Sequence, residues 1–472
     1  MSLRTDACRA FSGGRILSYW PIVLLWLAIG TRRAAGADQP PTIDAGPVDP
    51  KIASALKQIS SARIQGDIEK LVGFATRSTL SAQDQASIAA GHGIGAAREW
   101  IKSQLEGYSR DCGGCLEVKT DSFLEGPADR IPGPTEITNV YAVLKGVDRE
   151  ASPRVVLVSG HYDSRNSDTL DTTGAAPGAN DDGSGTAVSL ECARVLSQLK
   201  FGATIIFLTV AGEEQGLNGS RHFAQMAKSD GWNLEAVLNN DIVGGDRSPQ
   251  QDPSLVRVFS EGVPSTAGEA DLRLLRNLGG ESDSPSRELA RYVAQISRTY
   301  PSSLEPWLVF RMDRYLRGGD HISFNQQGYP AVRFTEFRED YHHQHQTPRT
   351  ENGIEYGDLP KFVNYDYIAA VARLNAGVLA SLASAPAPPA KVKLLTKQLE
   401  NDSTLTWDAS PGAAGYEVLW RGTSGADWDH LQAAGNQTRI TLPQSKDNVI
   451  FAVRSLDSLG HRSLPVIPVP ER

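Results

Sequence analysis

The chain has 472 residues, more than one hydrophobic core usually serves, so two or more domains are expected. Its composition is that of a soluble globular protein, 40% hydrophobic and 22% charged, with a net charge of −8. It has none of the clustered Lys and Arg that a phosphate-binding surface needs, which argues against nucleic acid as a partner.

At the N-terminus, Arg4, Arg9 and Arg15 precede an apolar run over residues 16–30, and Ala35-Gly36-Ala37 supplies small residues for cleavage. This is the three-part layout of a secretory signal. Residues 1–37 are therefore expected to be a signal peptide, and the mature chain to be exported, periplasmic or extracellular, without stable membrane insertion. The run is short for a bilayer-spanning anchor, and no Cys follows it to take a lipid. The segment carries five Arg against one Asp, so the mature chain is more acidic than the whole.

Residues 50–125 read as mostly helical, with Ile94, Ala97, Ile101 and Leu105 at helical spacing. Cys112-Gly113-Gly114-Cys115 suits a redox pair, half a zinc site or a local disulfide. No second such pair exists to complete a thiolate site, and in an oxidising compartment the disulfide is the ordinary reading. Residues 116–123 alternate like a strand, and residues 139–145 look like another.

From residue 154 the pattern changes to short, continuously apolar strands at 155–158, 205–210, 236–238 and 331–334, separated by helices. A helix opens near Gly185, with Val188, Cys192, Val195, Leu196 and Leu199 on one stripe, where Cys192 should be buried and inert. Apolar strands alternating with helices predict an α/β fold, a mostly parallel mixed sheet flanked by helices on both faces. Near residue 363 a long amphipathic helix begins, with Tyr367, Val371, Leu374 and Val378 on one stripe, and it ends in a Pro/Ala stretch. That composition makes a semi-rigid spacer. The main domain is expected over residues 38–385 and the linker over 386–394. Short alternating segments beyond it predict a small β-sandwich over residues 395–472.

In open α/β sheets, ligands bind beyond the carboxyl ends of the strands. The first strand runs into His161 and Asp163, the second into Glu213 and Glu214, the third into Asp241. With Asp181 and His345 these supply imidazole and carboxylate but no thiolate, the donors that zinc takes. Two zincs sharing a bridging carboxylate need this inventory. Glu213 is a further carboxylate, free to act as a base. Asp163, two residues after His161, suits a carboxylate that fixes the imidazole tautomer from behind. Glycines around Asp181 let the backbone turn tightly, so that its carboxylate can sit between two cations. Residues 246–305, rich in Asp, Ser, Arg and Pro, read as an insertion near the mouth of this site.

His161-Tyr162-Asp163, Gly178-Ala179-Asn180-Asp181-Asp182-Gly183-Ser184-Gly185, Gly212-Glu213-Glu214-Gln215-Gly216-Leu217-Asn218-Gly219-Ser220, Asn240-Asp241-Ile242-Val243-Gly244 and Gly319-Asp320-His321-Ile322-Ser323-Phe324 resemble, in this order, the M28 family of zinc peptidases. The resemblance implies two zinc ions, His161 and Asp241 binding one each with Asp181 bridging. Glu214 and a late His would complete the two sites, and Glu213 would be the general base. It also implies a cis Asp181–Asp182 peptide. Aligning Thr350 with the family's closing Thr selects His345 from His342, His343 and His345, and puts Arg349 where the family has Asp. His321 reads as pocket-lining or structural, and His222 as a helix-surface residue.

The implied activity is hydrolysis of peptide substrates, most simply release of N-terminal residues. A carboxypeptidase or dipeptidase of the same family is the alternative, as is an inactive ectodomain kept for binding. Single-zinc glutaminyl cyclases share the fold, and the full five-ligand set favours two metals. Residues 404–407, 415–418 and 451–460 resemble a fibronectin type III module, with Phe451 where that family usually has Tyr. Trp407, Trp420 and Trp428 there offer a glycan contact, although Trp407 and Trp420 fall at positions that normally fill a sandwich core. A protein contact through the module is the other option.

Overall fold

The computed structural model describes residue 43 and residues 45–471, so the expected signal peptide lies outside the described residues. The central sheet has eight strands: β1 (Leu116–Glu125), β2 (Thr135–Leu144), β3 (Arg154–His161), β4 (Thr204–Val210), β5 (Asn233–Asn240), β6 (Leu255–Ser260), β7 (Glu305–Val309) and β8 (Ala331–Glu336). Their order is β1-β2-β4-β3-β5-β8-β6-β7. The centre, β4-β3-β5-β8, is parallel, while β1, β2 and β4 pair antiparallel and β6 runs antiparallel to β8.

The continuous apolar runs of the central strands have a direct cause. Val156 and Val158 of β3 pack with Ile205 and Phe207 of β4 on one face, whereas Val155 and Leu157 pack with Ile206 and Leu208 on the other. Both faces of a parallel sheet are covered, so consecutive positions in the middle of β3 and β4 are apolar. The first face carries the helices Ser61–Val72, Gly93–Asp111, Gly183–Leu196 and Tyr365–Ser384. The second carries Asn218–Ser229 and His321–Gln326, through Phe223, Ala224, Ala227 and Phe324. Tyr365–Ser384 is long and apolar enough to cross a membrane, but nearly all of it is buried in this core.

Residues 246–305 depart from the expected mouth insertion. They supply β6, the helices Glu269–Leu278 and Pro285–Thr299, and β7, which together extend the sheet at its far edge. Cys112 and Cys115 form a disulfide, and Cys192 is a free, buried thiol.

After Ser384 the chain forms two small sheets. One holds Ala390–Leu395, Ser403–Asp408, Arg439–Leu442 and Val469–Glu471, the other Gly415–Gly422, His430–Gly435 and Val449–Leu456. Val392, Leu405, Trp407, Tyr416, Val418, Phe451 and Val453 fill the space between them. The Pro/Ala stretch does not hold these sheets away from the rest. Trp428 donates its Nε1–H to Glu288 at 2.9 Å, Arg454 Nη1 donates to Gln295 at 2.7 Å, and Arg421 pairs with Asp283. Of the three tryptophans considered for sugar binding, Trp407 and Trp428 are buried and Trp420 is half-buried, stacked on His430.

Candidate metal centre

The carboxyl ends of β3, β4 and β5 open on one edge of the sheet, and their sequels carry the expected side chains to it. β3 ends on His161 itself, whose backbone N–H donates to Asp182 Oδ2 at 2.9 Å. The other Asp182 oxygen accepts from Gly185 N at 2.8 Å and so caps the helix Gly183–Leu196. This fastens strand end to helix start. A side chain at Gly160 would collide with the backbone of Gly185, and one at Gly185 with the Asn240 carbonyl, so both positions need glycine. The Asp181–Asp182 peptide between the two elements is cis. After β4, Gly212 takes a left-handed φ of 76° and turns the chain into Glu213 and Glu214.

Asp181 stands at the centre. Its Oδ1 is 3.1 Å from His161 Nε2, and its Oδ2 is 2.8 Å from His345 Nε2. Each oxygen therefore faces a different imidazole. Donor atoms of His161, Glu213 and Asp241 form one group within 4.8 Å of one another, and those of Asp181, Glu214 and His345 form a second. His161 Nε2 lies 4.0 Å from Asp241 Oδ1, and His345 Nε2 lies 3.1 Å from Glu214 Oε1. The donor atoms of His161 and Asp241 thus fall in the same group, whereas the resemblance implied one zinc for each. Of the three late histidines, His345 is the one against Asp181 and Glu214. His343 bonds Asp246 at 2.5 Å and stacks on Phe362, while His342 is exposed and pairs with Asp340.

The donors fit a metal. His161 Nε2 and Glu214 Oε1 are buried with no hydrogen-bond partner, although each points at a neighbour 3.1 Å away. Buried, uncompensated carboxylates and imidazoles are costly, and a divalent cation between them removes the cost. The set is imidazole and carboxylate throughout, as zinc takes it. Burial alone would raise Asp181, but His345 and His161 hold it well below the usual carboxylate range. Burial pushes Glu213 the other way, well up, against the pull of His161 and with Asp241, Glu214 and Asp320 adding to the push.

Asp163 does more than its spacing suggested. His161 Nδ1 is 3.1 Å from the Asp163 backbone carbonyl and 3.4 Å from its carboxylate. That carboxylate also accepts from Thr79 Oγ1 at 3.0 Å and from the backbone N–H of Glu214 at 3.2 Å. It therefore orients the glutamate turn as well as the imidazole.

Two supporting residues escaped the sequence reading. Arg333, fully buried in β8, places Nη2 2.8 Å from Asp241 Oδ1 and Nη1 3.0 Å from Asp313 Oδ2. A charge inside the apolar run Ala331-Val332-Arg333-Phe334 was the available signal, because arginine is almost never fully buried without a partner. Asp358 accepts from the backbone N–H groups of Asn180 and Asp181 at 2.8 and 2.7 Å and fixes the loop carrying the central carboxylate. No nearby motif marked it. His321 is structural, its Nε2 bonded to the Met312 carbonyl at 2.9 Å. His222 is less plain than expected, since it pairs with Asp121 and stacks on Phe123.

The site lies in an open cavity of about 450 Å³, lined by Asp181, Glu213, Glu214, Asp241 and His345 and by Arg130, Arg165, Arg314, Leu316 and Arg317.

Residues 139–359 match the family described as peptidase family M28. A probable zinc metalloprotease of Pyrenophora tritici-repentis is 44% identical over 431 residues, covering 90% of this chain and 88% of that protein. A probable zinc metalloprotease of Pyricularia oryzae is 46% identical over 434 residues, covering 89% and 85% respectively. Among solved structures, the LapA aminopeptidase of Legionella pneumophila is similar over 71% of this chain and 74% of its own, with 22% identity and a TM-score of 0.48. The metal-type residues drawn together above lie within the matched span, and the relatives align over most of their length: the chain belongs to peptidase family M28.

Proposed function

We propose that this protein is an exported two-zinc peptidase that releases N-terminal residues from peptides. The observation that carries the reading is Asp181, whose two carboxylate oxygens face His161 and His345 at 3.1 and 2.8 Å. His161, Asp181 and Asp241 would hold one ion, and Asp181, Glu214 and His345 the other. When bound, zinc supplies Lewis acidity, which lowers the pKa of water and polarises the scissile carbonyl.

The chain's own residues do the rest. Glu213 lines the cavity and falls in the group with His161 and Asp241, but with Asp181 shared between the two ions each already has three donors, which leaves the Glu213 carboxylate free to act as the base. Its carboxylate takes a proton from the attacking water as the oxygen–carbon bond forms. It then delivers that proton to the amide nitrogen as the carbon–nitrogen bond breaks. Asp163 holds His161 and the Glu213-Glu214 turn, and Asp358 holds the Asp181 loop, so these groups need not reorganise during the reaction. An inactive binding ectodomain would be marked by a lost ligand or base, and all six side chains stand at the site. Residues 38–385 form the peptidase domain in this reading. The strands beyond residue 390 form a fibronectin type III-like module whose tryptophans serve packing, not sugar binding.

The test is mass spectrometry of two peptides of one sequence, one with a free N-terminus and one acetylated, incubated with the zinc-loaded protein. Loss of one N-terminal residue from the free peptide alone is expected. Shortening of both from the C-terminus would make it a carboxypeptidase, and cleavage of neither would overturn the peptidase reading.

A further inference from the structure

We propose that the cavity selects substrates carrying a carboxylate near the scissile bond, received by the guanidinium groups of Arg165 and Arg130. The proposal rests on the peptidase reading and narrows its substrate class. Four arginines line the cavity, but they are not equivalent. Arg314 is fully occupied by the fold, with Nε 3.0 Å from Asp313, Nη1 2.7 Å from Glu339 and Nη2 donating to the Gly318 carbonyl. Arg317 also pairs with Glu339, at 3.1 Å.

Arg165 and Arg130 lie beside Glu214, on the metal side. The Arg165 side chain is only 16% exposed, its Nε is buried without a hydrogen-bond partner, and it stands 3.8 Å from Glu214 Oε2. That separation is too long for a hydrogen bond. Glu214 faces His345 and belongs to a metal group, so its charge is not left over for Arg165. Arg130 is exposed, lines the cavity and donates through Nη1 to the Glu214 backbone carbonyl at 3.0 Å, which fixes its position at this wall. Desolvating a guanidinium without an acceptor is unfavourable unless something supplies one, and the planar fork matches a carboxylate with two parallel bonds.

Two metal dications would cancel the charge of the four carboxylates lining the cavity, Asp181, Glu213, Glu214 and Asp241. Arg165 and Arg130 would then face substrate as net positive charge. A carboxylate at this wall comes from one of two sources, an acidic side chain flanking the scissile bond or the free C-terminus of a short peptide. The competing account is that Arg165 merely offsets Glu214 and meets no substrate.

The experiment uses the full-length zinc-loaded protein and four peptides that differ in two features. One is Glu or Gln next to the scissile bond, the other a free or amidated C-terminus. We expect kcat/KM to favour a carboxylate form by about 10-fold or more, as a charge-assisted pair allows. The Glu/Gln ratio reports the side-chain source and the acid/amide ratio the C-terminal one. In the double variant Arg165→Gln, Arg130→Gln the favoured ratio should collapse to about one. Ratios near one in the natural protein, or a ratio that survives the double substitution, overturn the proposal. Calorimetric titration with glutarate and with its diamide separates this from the peptidase reading. If no peptide is cut but glutarate binds more tightly than the diamide and loses that advantage in the double variant, the peptidase reading fails and the carboxylate site stands. Equal binding of the two, or an advantage unchanged by the substitutions, removes the carboxylate site.

Discussion

At the residue scale the centre separates groups that would hold metal from one that would move a proton. Glu213→Gln keeps size and shape but removes the basic oxygen. It should retain two zinc ions by elemental analysis while kcat falls about 10²- to 10⁴-fold, the usual contribution of a general base. Near-normal turnover would assign the proton transfer elsewhere. Arg333 makes the opposite kind of prediction. Replacing it with Met leaves Asp241 without its buried guanidinium and Asp313 with Arg314 as its remaining partner. Breaking a buried pair costs about 3–5 kcal/mol, so the melting temperature should drop well below that of the natural protein. Zinc affinity, measured against a competing chelator, should weaken about 10- to 100-fold as Asp241 loses its orientation. The candidate ligands His161, Glu214 and Asp241 were legible in the sequence because they end or follow apolar strands. Arg333 and Asp358 were not, because a positioning residue is defined by what it touches across the fold, and Asp358 meets Asp181 from 177 positions away.

Elements were legible where one physical constraint dominated. Strands buried on both faces read as apolar runs, and β3, β4, β5 and β8 lie where those runs do. β6 and β7 were missed because they sit toward the sheet's edge, where Arg257 and Trp307 are admissible and composition resembles a loop. The helix Ser61–Val72 carries a different signature. Burial raises its Asp67 from 3.8 to about 7, and the neighbouring Glu191 carboxylate adds to the rise against Arg63 and Arg194. A carboxyl raised in the folded state binds its proton more tightly folded than unfolded. Its stabilisation is therefore complete below about pH 4 and is lost as pH rises toward about 7. Asp67→Asn should remove that slope. Thermal melts of variant and natural protein should differ little at pH 4, with the variant melting higher at pH 8. A variant that melts lower at pH 8 would show that the ionised carboxylate stabilises the helix after all.

For the molecule as a whole, the question is whether the C-terminal sheets ride on a spacer or share the peptidase's cooperativity. Composition favoured the spacer, since a Pro/Ala stretch carries no information about what its two ends do to each other. The side chains answer differently. Trp428, Arg421, Arg291, Glu288 and Asp283 are all buried, and the first two come from the C-terminal sheets while the other three lie on or just before the helix Pro285–Thr299. Arg421 and Arg291 both reach Asp283, Arg291 also pairs with Glu288, and Trp428 donates to the other Glu288 oxygen. Both guanidiniums lie within 6 Å of the Trp428 ring, at 5.3 and 5.9 Å. Separating the two parts would expose this network to water on the peptidase side and strip the helix of its cover. A single calorimetric transition is therefore expected for the full chain, where beads on a spacer would give two. Trp428→Ala, which should cost about 3–5 kcal/mol as a buried aromatic, would lower that one transition. If the variant instead split the trace and left the larger peak unmoved, the sheets would be a tethered passenger. A lowered single peak would make them part of the scaffold on which the metal centre is held, because the same helix packs behind β6 and β8, and β8 carries Arg333 to Asp241.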